Sequence, residues 1–124
     1  RIAQRADRQW VRGKSFDTFG PLGPAIAPPP ADWSAIRLGC RVSGETMQEA
    51  STADLIFSIP DLVSYLSRQF TLLPGDVIAT GTPAGVGFAR TPPRFLRAGD
   101  VVEVWVEGVG VLRNPVSVSE TFTT

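Results

Sequence analysis

The sequence predicts a mainly β, α+β domain with one principal helix near residues 59–69, and three observations lead there. Apolar and polar residues alternate over residues 36–42 and again over 102–107, which is the period of a half-buried strand. One stretch, residues 58–69, carries helix-start chemistry followed by helical spacing. The 12 Gly and 11 Pro stand mostly between these stretches, where they break both periods.

Residues 1–20 are polar and irregular, with Arg1, Arg5, Asp7, Arg8, Arg12, Lys14 and Asp17 around Trp10. Residues 20–33 hold five of the eleven prolines and read as an extended connector. Ile36, Leu38, Cys40 and Val42 then alternate with Arg37, Gly39, Arg41 and Ser43. Ser43-Gly44-Glu45 turns the chain into a second strand through Met47, so a β-hairpin is expected. A short helical turn is conceivable over residues 52–57. The helix begins where Ser58 offers a capping hydroxyl, Pro60 fits the first turn and Asp61 can complete a capping box. Leu62, Leu66 and Phe70 lie on one face, widened by Val63 and Tyr65, and the end is expected near Gln69. Gly75-Asp76 and Gly99-Asp100 are two copies of one phrase, a turn that releases a β-branched strand at Val77 or at Val101. Residues 79–95 form a loop rich in Gly, Thr and Pro. In the last element Val102, Val104 and Val106 alternate with Glu103, Trp105 and Glu107, turn near Gly108 and return through Val111 and Leu112.

Composition narrows the function. At 124 residues and 43% apolar content the chain is one domain able to form a core. Twelve basic residues balance twelve acidic ones, which argues against nucleic acid and anionic membrane as partners. The absence of His removes every Ser-His or Cys-His relay and every His-containing zinc site within the chain. Cys40 is the one cysteine, on the apolar side of its strand, and reads as a small core residue. No apolar run reaches the roughly 20 residues that span a bilayer, and the first residues given lack the apolar run of a signal peptide; a cytoplasmic protein is expected. The only Met is Met47 and the first residue is Arg1, so a piece of a longer chain is expected.

Two segments invite chemistry. Gly13-Lys14-Ser15 has the end of a phosphate-binding loop without its opening glycine or preceding strand, and by composition Lys14 is a solvated lysine. The run Ala79-Thr80-Gly81-Thr82-Pro83-Ala84-Gly85-Val86-Gly87 is richer. Its glycines admit a ligand close to the backbone, and its hydroxyls and amides suit a carboxylate; a tight inter-strand loop with self-satisfied hydroxyls is the plain alternative. The acidic residues show neither calcium-loop spacing nor a pair on one helix face.

Taken in order, residues 9–24 (Gln-Trp-Val-Arg-Gly-Lys-Ser-Phe-Asp-Thr-Phe-Gly-Pro-Leu-Gly-Pro), 42–45 (Val-Ser-Gly-Glu), 73–87 (from Leu-Pro-Gly-Asp to Gly-Val-Gly), 99–103 and 107–110 resemble the C-terminal catalytic domain of the fumarylacetoacetate hydrolase family. The resemblance implies a mixed β-sandwich roll, with residues 1–124 forming part of that domain. It implies a divalent metal, Mg²⁺ or Mn²⁺, that chelates the 2-oxo acid end of a diketo-type substrate and stabilises an enolate during cleavage, isomerisation or decarboxylation. The family's lysine near the substrate falls on Lys14, and its arginine and glutamine near the reacting oxygens fall on Arg1 and Gln4, although Ile2 stands where the family has Asp. Thr82, with Gly81 beside it, matches the carboxylate-binding threonine. The family's Glu-x-Glu and aspartate metal ligands would all precede Arg1, so no metal ligand is assigned in this chain, and tight metal binding by the chain alone is not expected. The resemblance further implies a small 2-oxo or diketo acid as partner and a homodimer. Acylpyruvate or fumarylpyruvate hydrolysis is the expected activity, with isomerase or decarboxylase action on related dicarboxylates as a variant. The alternative is a truncated, catalytically silent relative that serves as a binding or oligomerisation module.

Overall fold

A computed structural model describes residues 10–118. Its centre is one antiparallel sheet of four strands, β1 (Arg37–Val42), β2 (Glu45–Ser51), β3 (Val101–Val106) and β4 (Gly110–Pro115), in the order β2-β1-β3-β4. One helix, α1 (Ile59–Ser67), and three short 3₁₀ turns complete the elements. This is the α+β class with one principal helix that the sequence predicts.

Local chemistry explains both hairpins. Ser43 and Gly44 have φ of 51° and 87°, a two-residue turn with both central residues left-handed, which matches the twist of paired strands. Between β3 and β4 the Val109 amide donates to the Val106 carbonyl at 3.1 Å across Gly108, again left-handed at φ 75°. The pairing of β1 with β3 is long-range. Leu38, Cys40 and Val42 lie opposite Val106, Val104 and Val102, so the apolar sides of two separately alternating segments meet on one face. On the other face Gly39 lies opposite Trp105, and a Cβ at residue 39 would sit 2.7 Å from Trp105 Nε1. Glycine there lets the indole cross the strand.

β2 is longer than the stretch to Met47 that alternation suggests. Cys40 pairs with Gln48 and Arg41 with Thr46, which leaves Met47 without an opposite residue: a β-bulge. Beyond it pairing resumes through Ala50 and Ser51, aided by an Arg37–Glu49 ion pair. The bulge hides the continuation from a period-two reading, because it resets which residues face the core.

The capping signal of α1 is realised. Ser58 Oγ accepts from the Asp61 amide at 3.2 Å and donates to Asp61 Oδ2 at 2.5 Å, and Pro60 lies in the first turn. The helix ends two residues before Gln69, and the Gln69 and Phe70 amides still reach back to the Leu66 carbonyl at 2.9 Å. The conceivable turn over residues 52–57 is a 3₁₀ turn, Thr52–Asp54, closed by a Ser51/Asp54 capping box.

The twin Gly-Asp phrases close the same way and end differently. Asp76 accepts from the Leu73 amide at 2.8 Å and Asp100 from the Arg97 amide at 2.8 Å. Val101 then enters β3, whereas Val77 and Ile78 do not form the expected strand. The turn chemistry is equal; the difference is that β1 offers an edge next to Val101, where the Ser43 amide donates to the Val101 carbonyl at 2.7 Å. Among the described residues the buried large hydrophobics are only Val42 and Met47, so the inner face of the sheet is thinly covered.

Candidate functional site

The glycine-rich loop after Ile78 is pinned to β2 at two points. Arg90 Nε donates to the Gly85 carbonyl at 3.2 Å, while its Nη2 donates to the Met47 carbonyl at 2.8 Å and its Nη1 meets Glu45 Oε1 at 3.1 Å. β2 is the edge strand of the sheet, so its outward carbonyls are free to accept from a guanidinium. Gly85 has φ 100° and passes so close that a Cβ would come within 2.1 Å of the Met47 carbonyl oxygen. Only glycine meets both demands.

The second point is Gln48. Its Nε2 donates at 2.9 Å to Thr82 Oγ1 and at 2.9 Å to the Pro83 carbonyl. A carbonyl oxygen can only accept, so the amide nitrogen, not its oxygen, must face the loop. Thr82 Oγ1 therefore accepts from Gln48. Its own proton is left for another acceptor.

Gly81, Thr82 and Pro83 form one side of a cavity of about 380 Å³, whose other walls come from Leu38 and Ala50 of β1 and β2, Leu55, Ile56 and Phe57 of the following segment, and Leu62 of α1. The cavity is apolar apart from hydroxyls and one charged side chain, Asp54, whose carboxylate accepts from the Ser51 amide at 2.9 Å. A hydroxyl, a left-handed glycine at φ 112° and an apolar wall together suit a small acid: polar at one end, carbon skeleton at the other.

Lys14 stands elsewhere in the chain's organisation. It closes a 3₁₀ turn, Arg12–Lys14, in which its amide donates to the Val11 carbonyl at 3.0 Å. Its Nζ lies 5.4 Å from the centroid of the Trp10 ring, a cation–π contact. Lys14 is not among the residues lining the cavity. Arg1 and Gln4 lie outside the described residues.

A polar corner supports the far end of the sheet. Asp100 accepts from Arg94 Nη2 at 2.7 Å, from Ser43 Oγ at 2.8 Å and from the Arg97 amide. Arg94 first, then the amide and the hydroxyl, hold the Asp100 carboxyl well below the usual carboxylate range. Partial burial pushes the Cys40 thiol up, which disfavours the nucleophilic thiolate and fits the core reading. Among the described residues no group of three His, Cys, Asp or Glu side chains could hold a metal ion. The described part of the chain therefore does not fit a divalent ion by itself.

The profile of the fumarylacetoacetate hydrolase C-terminal domain matches residues 1–117. The chain belongs to this family. Oxaloacetate tautomerase Fahd2a, mitochondrial, from Rattus norvegicus is 46% identical over 114 residues, spanning 90% of this chain and 36% of that protein. Among solved structures, fumarylacetoacetate hydrolase from Exiguobacterium antarcticum superposes with a TM-score of 0.91 at 43% identity over 95% of this chain and 43% of its own. 5-carboxymethyl-2-hydroxymuconate delta-isomerase from Mycobacterium smegmatis does so at 0.82 and 46%, over 94% and 43%. The chain thus spans well under half the length of these relatives, as part of a family catalytic domain.

Gln48 and Arg90 were not legible in the sequence. Gln48 is the polar member of a cross-strand row otherwise filled by Cys40, Val104 and Leu112, and Arg90 reaches carbonyls on the edge strand β2; both depend on long-range pairing.

Proposed function

We propose that this chain forms part of an enzyme that generates or protonates the enolate of a small 2-oxo or β-diketo acid. Thr82, with Gly81, holds the carboxylate, and the apolar walls from Leu38 to Leu62 take the carbon skeleton. Lys14 supplies a cation to the developing enolate oxygen, and Arg1 and Gln4 bind the reacting oxygens. The observation that carries the reading is Thr82 on the wall of the apolar cavity, in a chain of this family.

Keto–enol isomerisation is the leading reaction, because both tautomerase and isomerase relatives share more than 40% identity with the chain. It needs only a proton moved between carbon and oxygen while the carboxylate is held. Hydrolysis of an acylpyruvate or fumarylpyruvate is the second reading, favoured by the hydrolase at 43% identity. Both pass through the same enolate. Decarboxylation of a related dicarboxylate is a further variant. A divalent ion, Mg²⁺ or Mn²⁺, belongs to the proposal, with ligands that the described residues do not supply. A homodimer and a cytoplasmic site of action are proposed with it, the name of the rat relative marking a mitochondrial one as the other outcome of cell fractionation.

The test is turnover by the encoded protein in Mg²⁺ buffer, followed by ultraviolet absorbance, on enol-oxaloacetate, acetylpyruvate and fumarylpyruvate. Accelerated ketonisation of the first supports the tautomerase reading; loss of the diketone band of the others supports hydrolysis. No acceleration on any of the three contradicts the proposal and favours the silent binding module.

A further inference from the structure

We infer that Gln48 is a positioning residue for substrate binding: it occupies the Thr82 hydroxyl as an acceptor, leaves its proton to donate, and so favours a substrate oxygen that accepts, such as a carboxylate. The inference rests on the proposed carboxylate-binding role of Thr82.

A threonine hydroxyl can donate or accept, and left alone it commonly bonds to nearby backbone. Here the choice is made by its neighbour. Gln48 Nε2 spends one N–H on Thr82 Oγ1 and the other on the Pro83 carbonyl, both at 2.9 Å. Having accepted from Gln48, Thr82 keeps its own proton to donate, and the residue lies on the cavity wall. A carboxylate, which can only accept, complements that arrangement; a group that can only donate, such as an ammonium, does not. The same bond to Pro83 sets the path of the backbone after Thr82. The position of Gln48 directly after the Met47 bulge aims its side chain at the loop, while Arg90 and Gly85 hold the loop at the right height. Selectivity of this kind comes from leaving the wrong ligand with an unsatisfied polar group.

The deciding variants are Gln48→Glu and Gln48→Met, measured on the encoded protein with whichever of oxaloacetate or acetylpyruvate the wild type turns over. At neutral pH the introduced carboxylate accepts the Thr82 proton and repels the substrate, so KM rises by about tenfold or more while kcat changes by less than about threefold. As pH falls, the introduced acid becomes protonated and can donate again. KM of Gln48→Glu therefore moves back toward the wild-type value at low pH, relative to wild type at each pH. Gln48→Met raises KM by about fivefold at every pH, and adds nothing further in a Thr82→Val background. An unchanged KM in both variants, a KM rise in Gln48→Glu without recovery at low pH, or loss of the fold in both overturns the inference, the last because it makes Gln48 a purely structural residue. An active wild type with those outcomes leaves the proposed activity standing. An inactive wild type overturns that activity and the positioning role together.

Discussion

In the proposed site Thr82 is a residue of ordinary type given a directional task. Gln48 takes one lone pair of its hydroxyl, and Arg90 and Gly85 fix the loop that carries it. Gly85 is the residue on which this depends most. Any side chain there meets the Met47 carbonyl at 2.1 Å and must also adopt φ 100°. Gly85→Ala is expected to lower stability by more than about 2 kcal/mol and to release the loop from β2. Thermal unfolding measures the first effect. A variant as stable as wild type would show that the loop is not clamped to β2 in this way. Gly81 is different: no atom lies within 4 Å of a Cβ placed there, so only its left-handed backbone resists substitution.

At the scale of elements, the Asp100 corner ties the turn before β3 to the hairpin of β1 and β2 through Arg94, Arg97 and Ser43. Its carboxyl has a lower pKa in the folded chain than in the unfolded one. The stabilisation is then fully present above the unfolded value of about 4 and is lost as pH falls toward the folded value. Asp100→Asn is accordingly expected to depress Tm at pH 7, with a deficit that narrows as pH drops below about 4. A deficit of equal size at pH 3 and pH 7 would contradict the charge-based account. The elements also show what a sequence reveals. Strands β1, β3 and β4 and the Ser58 cap were legible because each rests on local alternation or local side-chain chemistry. The end of β2 was not, since the Met47 bulge shifts its register, and the strand expected at Val77 failed because a turn cannot provide the edge that a strand needs. The run carrying Gly81 and Thr82 was legible as a glycine- and threonine-rich loop, whereas the contacts of Gln48 and Arg90 with it form only when β2 and the loop after Ile78 come together in space.

At the largest scale, the thin core among the described residues is the governing fact. Phe57, Phe70, Leu73 and Val77 are all more than half exposed on the side of α1 and its following segment. The 124-residue chain on its own is therefore expected to self-associate at micromolar concentration, which sedimentation velocity resolves; a strictly monomeric species would contradict the expectation. In the proposed function two segments distant in sequence serve one small acid, Lys14 from the first 3₁₀ turn and Thr82 from the loop after Ile78. Their contributions differ in kind. Charge on an enolate oxygen develops on the way to the transition state, whereas the carboxylate is present throughout. Steady-state kinetics of Lys14→Ala and Thr82→Val, in the encoded protein on the same 2-oxo acid, tests this most directly. The account predicts that Lys14→Ala lowers kcat by about 100-fold with little change in KM, and that Thr82→Val raises KM by about tenfold with kcat nearly intact. Wild-type kinetics in both variants would contradict it, leaving Lys14 a surface lysine and Thr82 a loop hydroxyl.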